Sequence, residues 1–222
     1  MSRAARTGIF GGTFNPIHLG HLRAAEEVLE ALGLERMLFV PSGEPPHKAA
    51  SAGDPIAPAA QRLAWVRAAV ADNPRFGVDA LEIERGGMSY SVETLRTLGG
   101  QIAPELPVFV IGIDAFAEVG TWREPEALFT LANFAVITRP GPPDRAGAHW
   151  LPERVRGDFE LAETGDSARH RRAGTWVRRL AIAALDISAS DIRARLRCGR
   201  SVRYLLPESI WEAVLRSRVY AA

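Results

Sequence analysis

The chain predicts an α/β fold: a doubly wound parallel sheet followed by a small helical C-terminal part. Three observations lead there. Short apolar runs alternate with stretches of helical periodicity along most of the sequence. The first apolar run ends in a double glycine and feeds directly into an amphipathic helix pattern. At 222 residues the chain is long enough to bury a sizeable core in one domain.

The elements follow in order. Residues 7–10 read as a strand and 19–32 as a helix, with Leu22, Ala25, Leu29 and Leu32 on one face and Glu26 and Glu30 off it. Residues 37–40 form a second strand, and 58–71 a helix with Leu63, Val66 and Val70 on one face. Residues 76–78 and 81–83 are short strand candidates; 91–98 is a helix opened by a hydroxyl cap at Ser91, with Glu93 and Thr94 in its first turn. Residues 107–111 make the strongest buried strand, followed by a helix from Asp114, a helix at 125–131 and a strand at 134–137. The segment 142–175 breaks the rhythm with Pro, Gly and many charges, and reads as a solvated, partly mobile insertion loop. Its basic run, Arg169 to Arg172, is diluted by carboxylates at Asp144, Glu153, Asp158, Glu160, Glu163 and Asp166. Order returns with a strand candidate at 180–185, a capped helix at 187–197, and a last helix at 207–218 with Ile210, Val214 and Leu215 facing inward. Strand–helix alternation implies right-handed crossovers and a parallel sheet covered on both faces, with ligands beyond the strands' C-terminal ends. The expected organisation is one domain over 1–222, its core at 1–187 and its helical part at 188–222.

Composition narrows the function classes. A net charge of +1 gives no reason to expect nucleic acid or an anionic membrane as a bulk partner. A single cysteine, Cys198, suits a reducing compartment, and no run of 18 or more apolar residues or signal-peptide core appears, so a soluble cytoplasmic domain is expected. Of 27 basic residues, all but Lys48 are arginine. A site needing a compact charge on a flexible stem resists exchange for a planar fork, which singles out Lys48.

The most informative stretch is Gly8 to Leu22, GIFGGTFNPIHLGHL. Glycines at a strand end let backbone approach a ligand, and the helix that follows offers free N–H groups, so Gly11, Gly12, Thr13 and Phe14 outline an anion corner. His18 and His21 add two imidazole donors to it. The spacing is not G-x-G-x-x-G, which argues against a dinucleotide-dependent oxidoreductase. Pro45 and Pro46 stiffen a loop that presents His47 and Lys48, two further donors suited to phosphate. Gly112 and Asp114 follow the strongest strand, where a carboxylate can accept from ribose hydroxyls or cap the next helix. Ser188 and Ser190 open a helix with Arg193 one turn in, a second anion-facing terminus.

Gly12, Phe14, Asn15, Pro16, His18, Gly20 and His21 resemble the signature G-x-F-(D/N)-P-x-H-x-G-H of a nucleotidyltransferase superfamily with a Rossmann-like fold. Further segments occur in order: PPHK, Gln61-Arg62, Ser89-Tyr90-Ser91, Gly112 to Asp114, Thr121-Trp122, Arg139-Pro140-Gly141, and Ile187 to Arg193. Together they are similar to bacterial nicotinate-nucleotide adenylyltransferases across nearly the whole chain. The resemblance implies adenylyl transfer from ATP to nicotinate mononucleotide, with magnesium carried by the ATP phosphates and no protein-held metal. It implies His18 and His21 at the triphosphate, with Arg139 also at ATP and Lys48 and His47 neutralising charge. It further implies Arg193 with Ser188 and Ser190 at the leaving β,γ end, and Gly112 and Asp114 at a ribose. Trp122 is expected to stack on the pyridine ring, and the Ser91 region to meet its carboxylate. Three positions depart from the pattern: Asn15 replaces the commoner aspartate, Ser91 a threonine, and Arg123 an aromatic residue. Arg123 either turns toward the substrate carboxylate or, as expected, points to solvent. Phosphopantetheine adenylyltransferase shares the signature but fits PPHK and Thr121-Trp122 poorly; a non-catalytic nucleotide-binding module is the alternative from another class.

Overall fold

A computed structural model describes residues 7–45, 55–138, 150–183 and 185–221. Strand β1 (Thr7–Gly12) pairs in parallel with β2 (Arg36–Pro41) on one side and β4 (Val108–Gly112) on the other. β3 (Phe76–Val78) adds outside β2, and β5 (Asn133–Thr138) and β8 (Trp176–Ala181) continue in parallel beyond β4. β7 (Ser167–His170) and β6 (Phe159–Leu161) complete the sheet antiparallel, giving the order β3-β2-β1-β4-β5-β8-β7-β6. The order reverses between β1 and β4, which is where a doubly wound sheet opens a crevice at its C-terminal edge.

The central strands β1, β4 and β5 are buried on both faces, and successive side chains sort into two apolar clusters. Phe10, Val108, Val110 and Ala135 join the cluster under α1 (Leu19–Leu32), α2 (Ala59–Val70), α8 (Ala189–Arg197) and α9 (Glu208–Ser217). Ile9, Phe109, Ile111, Phe134 and Val136 face the opposite cluster, with α4 (Ser91–Ile102), α5 (Ile113–Ala117) and α6 (Pro125–Leu131). This period of two is the pleat itself. The C-terminal helices share the first cluster through Ile192, Ile210 and Val214 rather than forming a core of their own.

Helix α1 spans the residues the periodicity predicts. It buries Ala24, Ala25, Val28 and Leu29, with Leu22 and Leu32 partly covered at the margins. It ends at Gly33, whose left-handed φ of 62° lets its N–H reach back to the Glu30 carbonyl.

Several expectations need correction. Residues 81–83 are not a strand: Asp79 Oδ1 accepts the Leu81 N–H at 2.9 Å and starts the short helix α3 (Leu81–Arg85). Ser91 does not cap α4; Tyr90 holds the cap position without a side-chain bond, and the helix runs on through Gly99 and Gly100 to Ile102. Asp114 likewise does not cap α5, which begins from Gly112. The strand expected at 180–185 lies earlier, at Trp176–Ala181, in register with β5. Leu215 is 39% exposed, while Ile210 and Val214 are buried. The described part of the supposed insertion loop, residues 150–175, contains α7 (Glu153–Arg156), β6 and β7, and buries Trp150, Leu151, Val155, Phe159 and Ala168 against the second cluster. Its apolar residues alternate over only three or four positions at a time, too few to stand out among the charges.

Candidate active site

The chain leaves β1 through Gly12 into a tight corner. Phe14 takes a left-handed φ of 47°, costly for a bulky residue, and its ring is buried edge-on to His21 at 5.1 Å. The Phe14 side chain therefore packs beneath the corner. His18 holds the N-cap position of α1 with extended backbone, and the two imidazoles stack with ring centroids 3.7 Å apart. The His18 N–H donates to His21 Nδ1 at 3.2 Å. Burial pushes the His18 pKa down to about 4, so the ring is neutral at pH 7. Its Nδ1 has no hydrogen-bond partner among the described residues. Gly20 is needed beside it, because a Cβ there would lie 3.0 Å from His18 Nδ1.

Helix α8 brings its start to the same corner. Ser188 Oγ accepts the Asp191 N–H at 3.1 Å, and the Ile187 carbonyl lies beside Gly20. Arg193 is buried; it donates to the Asn15 carbonyl at 2.8 Å and to Ser190 Oγ at 3.3 Å. Its charge thus sits behind the glycine corner and braces it.

From the corner a cavity of about 280 Å3 runs along the crevice between β1 and β4. Gly11, Gly12 and Thr13 line it together with Tyr90, Ser91, Gly112, Trp122 and Arg123, while His18 and His21 stand outside its lining. Asp114 is exposed on α5 beside Gly112. Arg123 does not simply point to solvent: its guanidinium lies 4.7 Å from the Tyr90 ring centroid and 3.0 Å from Glu93. His47, Lys48 and Arg139 lie outside the described residues.

Two buried charged residues were not foreseen as parts of this site. Arg62, on α2, donates to the carbonyls of Ala57 (2.9 Å), Thr13 (2.7 Å) and Gly43 (2.8 Å), tying the glycine corner to the segment after β2. Glu82 lines the cavity, accepts from Thr94 Oγ1 at 2.5 Å, and is also hydrogen-bonded to Ser89. Burial raises its pKa above the ordinary carboxylate value. Ser89 Oγ in turn accepts the Gly43 N–H at 2.8 Å. The only sequence signal for Arg62 is its place in the Gln61-Arg62 pair; Glu82 has none beyond its apolar neighbours.

A glycine corner with paired histidines at the switch point of a doubly wound sheet defines a nucleotide-binding protein of the transferase kind. The cytidylyltransferase-like family matches residues 9–195. A relative from Geotalea uraniireducens, named "Probable nicotinate-nucleotide adenylyltransferase", is 42% identical over 97% of this chain and 98% of its own. One of the same name from Symbiobacterium thermophilum is 41% identical over 97% and 95%. The chain belongs to the cytidylyltransferase-like family, and to the nicotinate-nucleotide adenylyltransferase branch of it. A solved structure, the Plasmodium falciparum nicotinic acid mononucleotide adenylyltransferase complexed with NaAD, superposes with a TM-score of 0.72 at 15% identity, covering 97% of each chain, and shares the fold.

Proposed function

We infer that this chain transfers the adenylyl group of ATP to nicotinate mononucleotide, forming nicotinate adenine dinucleotide and pyrophosphate. The observation that carries the reading is the continuity of the crevice: the phosphate corner at Gly11–Thr13 and the aromatic end at Tyr90 and Trp122 line one cavity. A phosphate oxygen of the mononucleotide attacks the α-phosphorus of ATP in line. The new P–O bond forms as the bond to the β-phosphate bridge breaks, and pyrophosphate carries off the electron pair. The step requires no protein nucleophile, so positioning and charge stabilisation supply the catalysis.

In this reading the triphosphate rests on the N–H groups of Gly11, Gly12 and Thr13 and on the imidazoles of His18 and His21. Neutral His18 acts as a hydrogen-bond partner and not as a cation. Ser188 and Ser190 border the β,γ end, and Arg193 contributes its charge through the Asn15 turn it braces. From the sequence, Lys48, His47 and Arg139 add positive charge around the reacting phosphates. Gly112 and Asp114 meet a ribose, Trp122 stacks on the pyridine, and backbone N–H groups near Ser91 receive its carboxylate.

Among the described residues no group of three or more His, Cys, Asp or Glu side chains could hold a metal ion. The corner offers imidazoles, hydroxyls and backbone N–H groups, which suit phosphate oxygens better than a cation. In this reading magnesium would arrive with the triphosphate, where it would neutralise phosphate charge. Likewise, no helix among the described residues is long and apolar enough to cross a membrane.

The test is pyrophosphate release from ATP and magnesium with nicotinate mononucleotide, nicotinamide mononucleotide or phosphopantetheine as acceptor. Release with the first, and none with the third, is the expected result.

A further inference from the structure

We propose that Tyr220 is a positioning residue for the phosphate corner, acting through the side-chain amide of Asn15; the proposal rests on the assignment of that corner to ATP. Tyr220 is 1% exposed and donates its hydroxyl to Asn15 Oδ1 at 2.5 Å, across 205 residues of sequence. Asn15 Oδ1 also accepts the Ala57 N–H at 2.9 Å, and Asn15 Nδ2 donates to the Pro55 carbonyl at 3.0 Å. The amide is therefore oriented: its oxygen faces two donors and its nitrogen faces an acceptor.

Asn15 stands three residues before His18, in the turn that sets where the imidazole sits. The turn's own carbonyl is held by Arg193, and Ala57 is held a second time by Arg62 Nε. The side chain of Asn15 is thus the point where the C-terminal segment, the segment at 55–57 and the histidine turn are pinned together. Asn15 is only 6% exposed, so water cannot replace a lost donor there without opening the site. Removing the Tyr220 hydroxyl takes away one of the amide's three partners, leaving the Ala57 N–H and the Pro55 carbonyl to hold it, and loosens the turn. In a mechanism built on positioning, a displacement of about 1 Å costs on the order of 100-fold in rate. Neither Asn15 nor Tyr220 lines the cavity, so the aromatic end of the crevice is untouched by this coupling.

The experiment is steady-state kinetics of Tyr220→Phe, Asn15→Ala and the double variant, each varied in ATP and in nicotinate mononucleotide, with thermal melts of all three. Tyr220→Phe retains the ring packed 6.1 Å from Trp65 and keeps the fold. It is expected to lower kcat/KM for ATP about tenfold, the loss of one buried hydrogen bond, and to leave KM for the mononucleotide within about twofold. The double variant should be little worse than Asn15→Ala alone, because both changes act on one amide. Wild-type kinetics in Tyr220→Phe, equal weakening of both substrates, or additive effects in the double variant would each overturn the coupling. Should Tyr220→Phe melt early, the non-additivity measured below its transition still decides the matter. His18→Ala separates this from the assignment beneath it. Wild-type turnover in that variant would remove the corner from the ATP site and the coupling with it.

Discussion

The imidazole of His21 lies against that of His18, ring centroids 3.7 Å apart, and its Nδ1 accepts the His18 backbone N–H. One histidine therefore fixes the backbone of the other. The bond consumes His21 Nδ1 and directs the opposite edge of the ring elsewhere, while Phe10 and Phe14 hold that ring edge-on at 6.0 and 5.1 Å. Two stacked cations would repel, and burial keeps His18 neutral. The pair is preorganised before any nucleotide arrives.

Replacing either histidine should be expensive in rate. His18→Ala and His21→Ala are each expected to lower kcat about 100- to 1000-fold, the usual effect of removing one preorganised transition-state donor. Circular dichroism and melting should show both variants folded. More than roughly a third of wild-type turnover in a folded variant would withdraw that residue from the mechanism.

The buried neutral His18 also ties stability to pH. Its folded pKa of about 4 lies below the ordinary 6.5, so between those values the unfolded chain binds the additional proton. The contribution is whole above pH 6.5 and drains away as the pH falls toward 4, reaching roughly 3 kcal/mol. Denaturant unfolding of wild type and His18→Asn at pH 7 and pH 4 checks this; the wild type should lose more stability by that margin. Glu82 acts with the opposite sign. Its raised pKa confers stability that is complete below the ordinary carboxylate value and declines as the pH rises through the folded one. Glu82→Gln should flatten that decline.

Two glycines separate folding from binding. A Cβ on Gly112 meets nothing within 4 Å, and its φ of −71° suits any residue, so the fold itself has room for alanine there. Gly112→Ala is expected to change stability by about 1 kcal/mol or less, yet to cost at least about tenfold in kcat/KM for the mononucleotide if a ribose packs on it. Gly20→Ala should do the reverse: its Cβ would press on His18 Nδ1, lowering kcat while KM for the mononucleotide holds. An unaltered Gly112→Ala enzyme would place the ribose elsewhere.

The acid should be preferred over the amide. Backbone N–H groups near Ser91 suit a carboxylate and leave an amide NH2 facing donors, which costs about 1–3 kcal/mol for each buried mismatch. A preference of at least about tenfold in kcat/KM for nicotinate over nicotinamide mononucleotide is expected. Arg123 is half exposed and already paired with Glu93, so Arg123→Ala should erode that preference by only about threefold. Equal use of both substrates would overturn the assignment of the carboxylate.

What the sequence made legible was local. A strand ending in glycines, a helix over residues 19–32 and the seven matched residues of the signature can be read from neighbours alone. Burial of Arg62 cannot, because the three carbonyls that satisfy it come from Thr13, Gly43 and Ala57, on segments the chain brings together only when folded. Asn15 is legible as a signature residue, but its amide partners lie 40, 42 and 205 residues away. Strands β6 and β7 escaped for a similar reason: three or four residues carry too little pattern, and the pairing of β7 with β8 and of β6 with β7 supplies what periodicity lacks.

The order of the strands has a consequence for how copies of this chain behave in a crowded solution. The outermost strands, β3 and β6, are three residues each, while the six-residue strands β1, β2, β5 and β8 lie inside the sheet. A short rim offers a foreign strand few unpaired N–H and C=O groups, which guards against edge-to-edge aggregation. The β6–β7 hairpin is the guard on one side. Were it to peel away, β8 would become a six-residue rim with an open ladder, so self-association on partial unfolding should begin there.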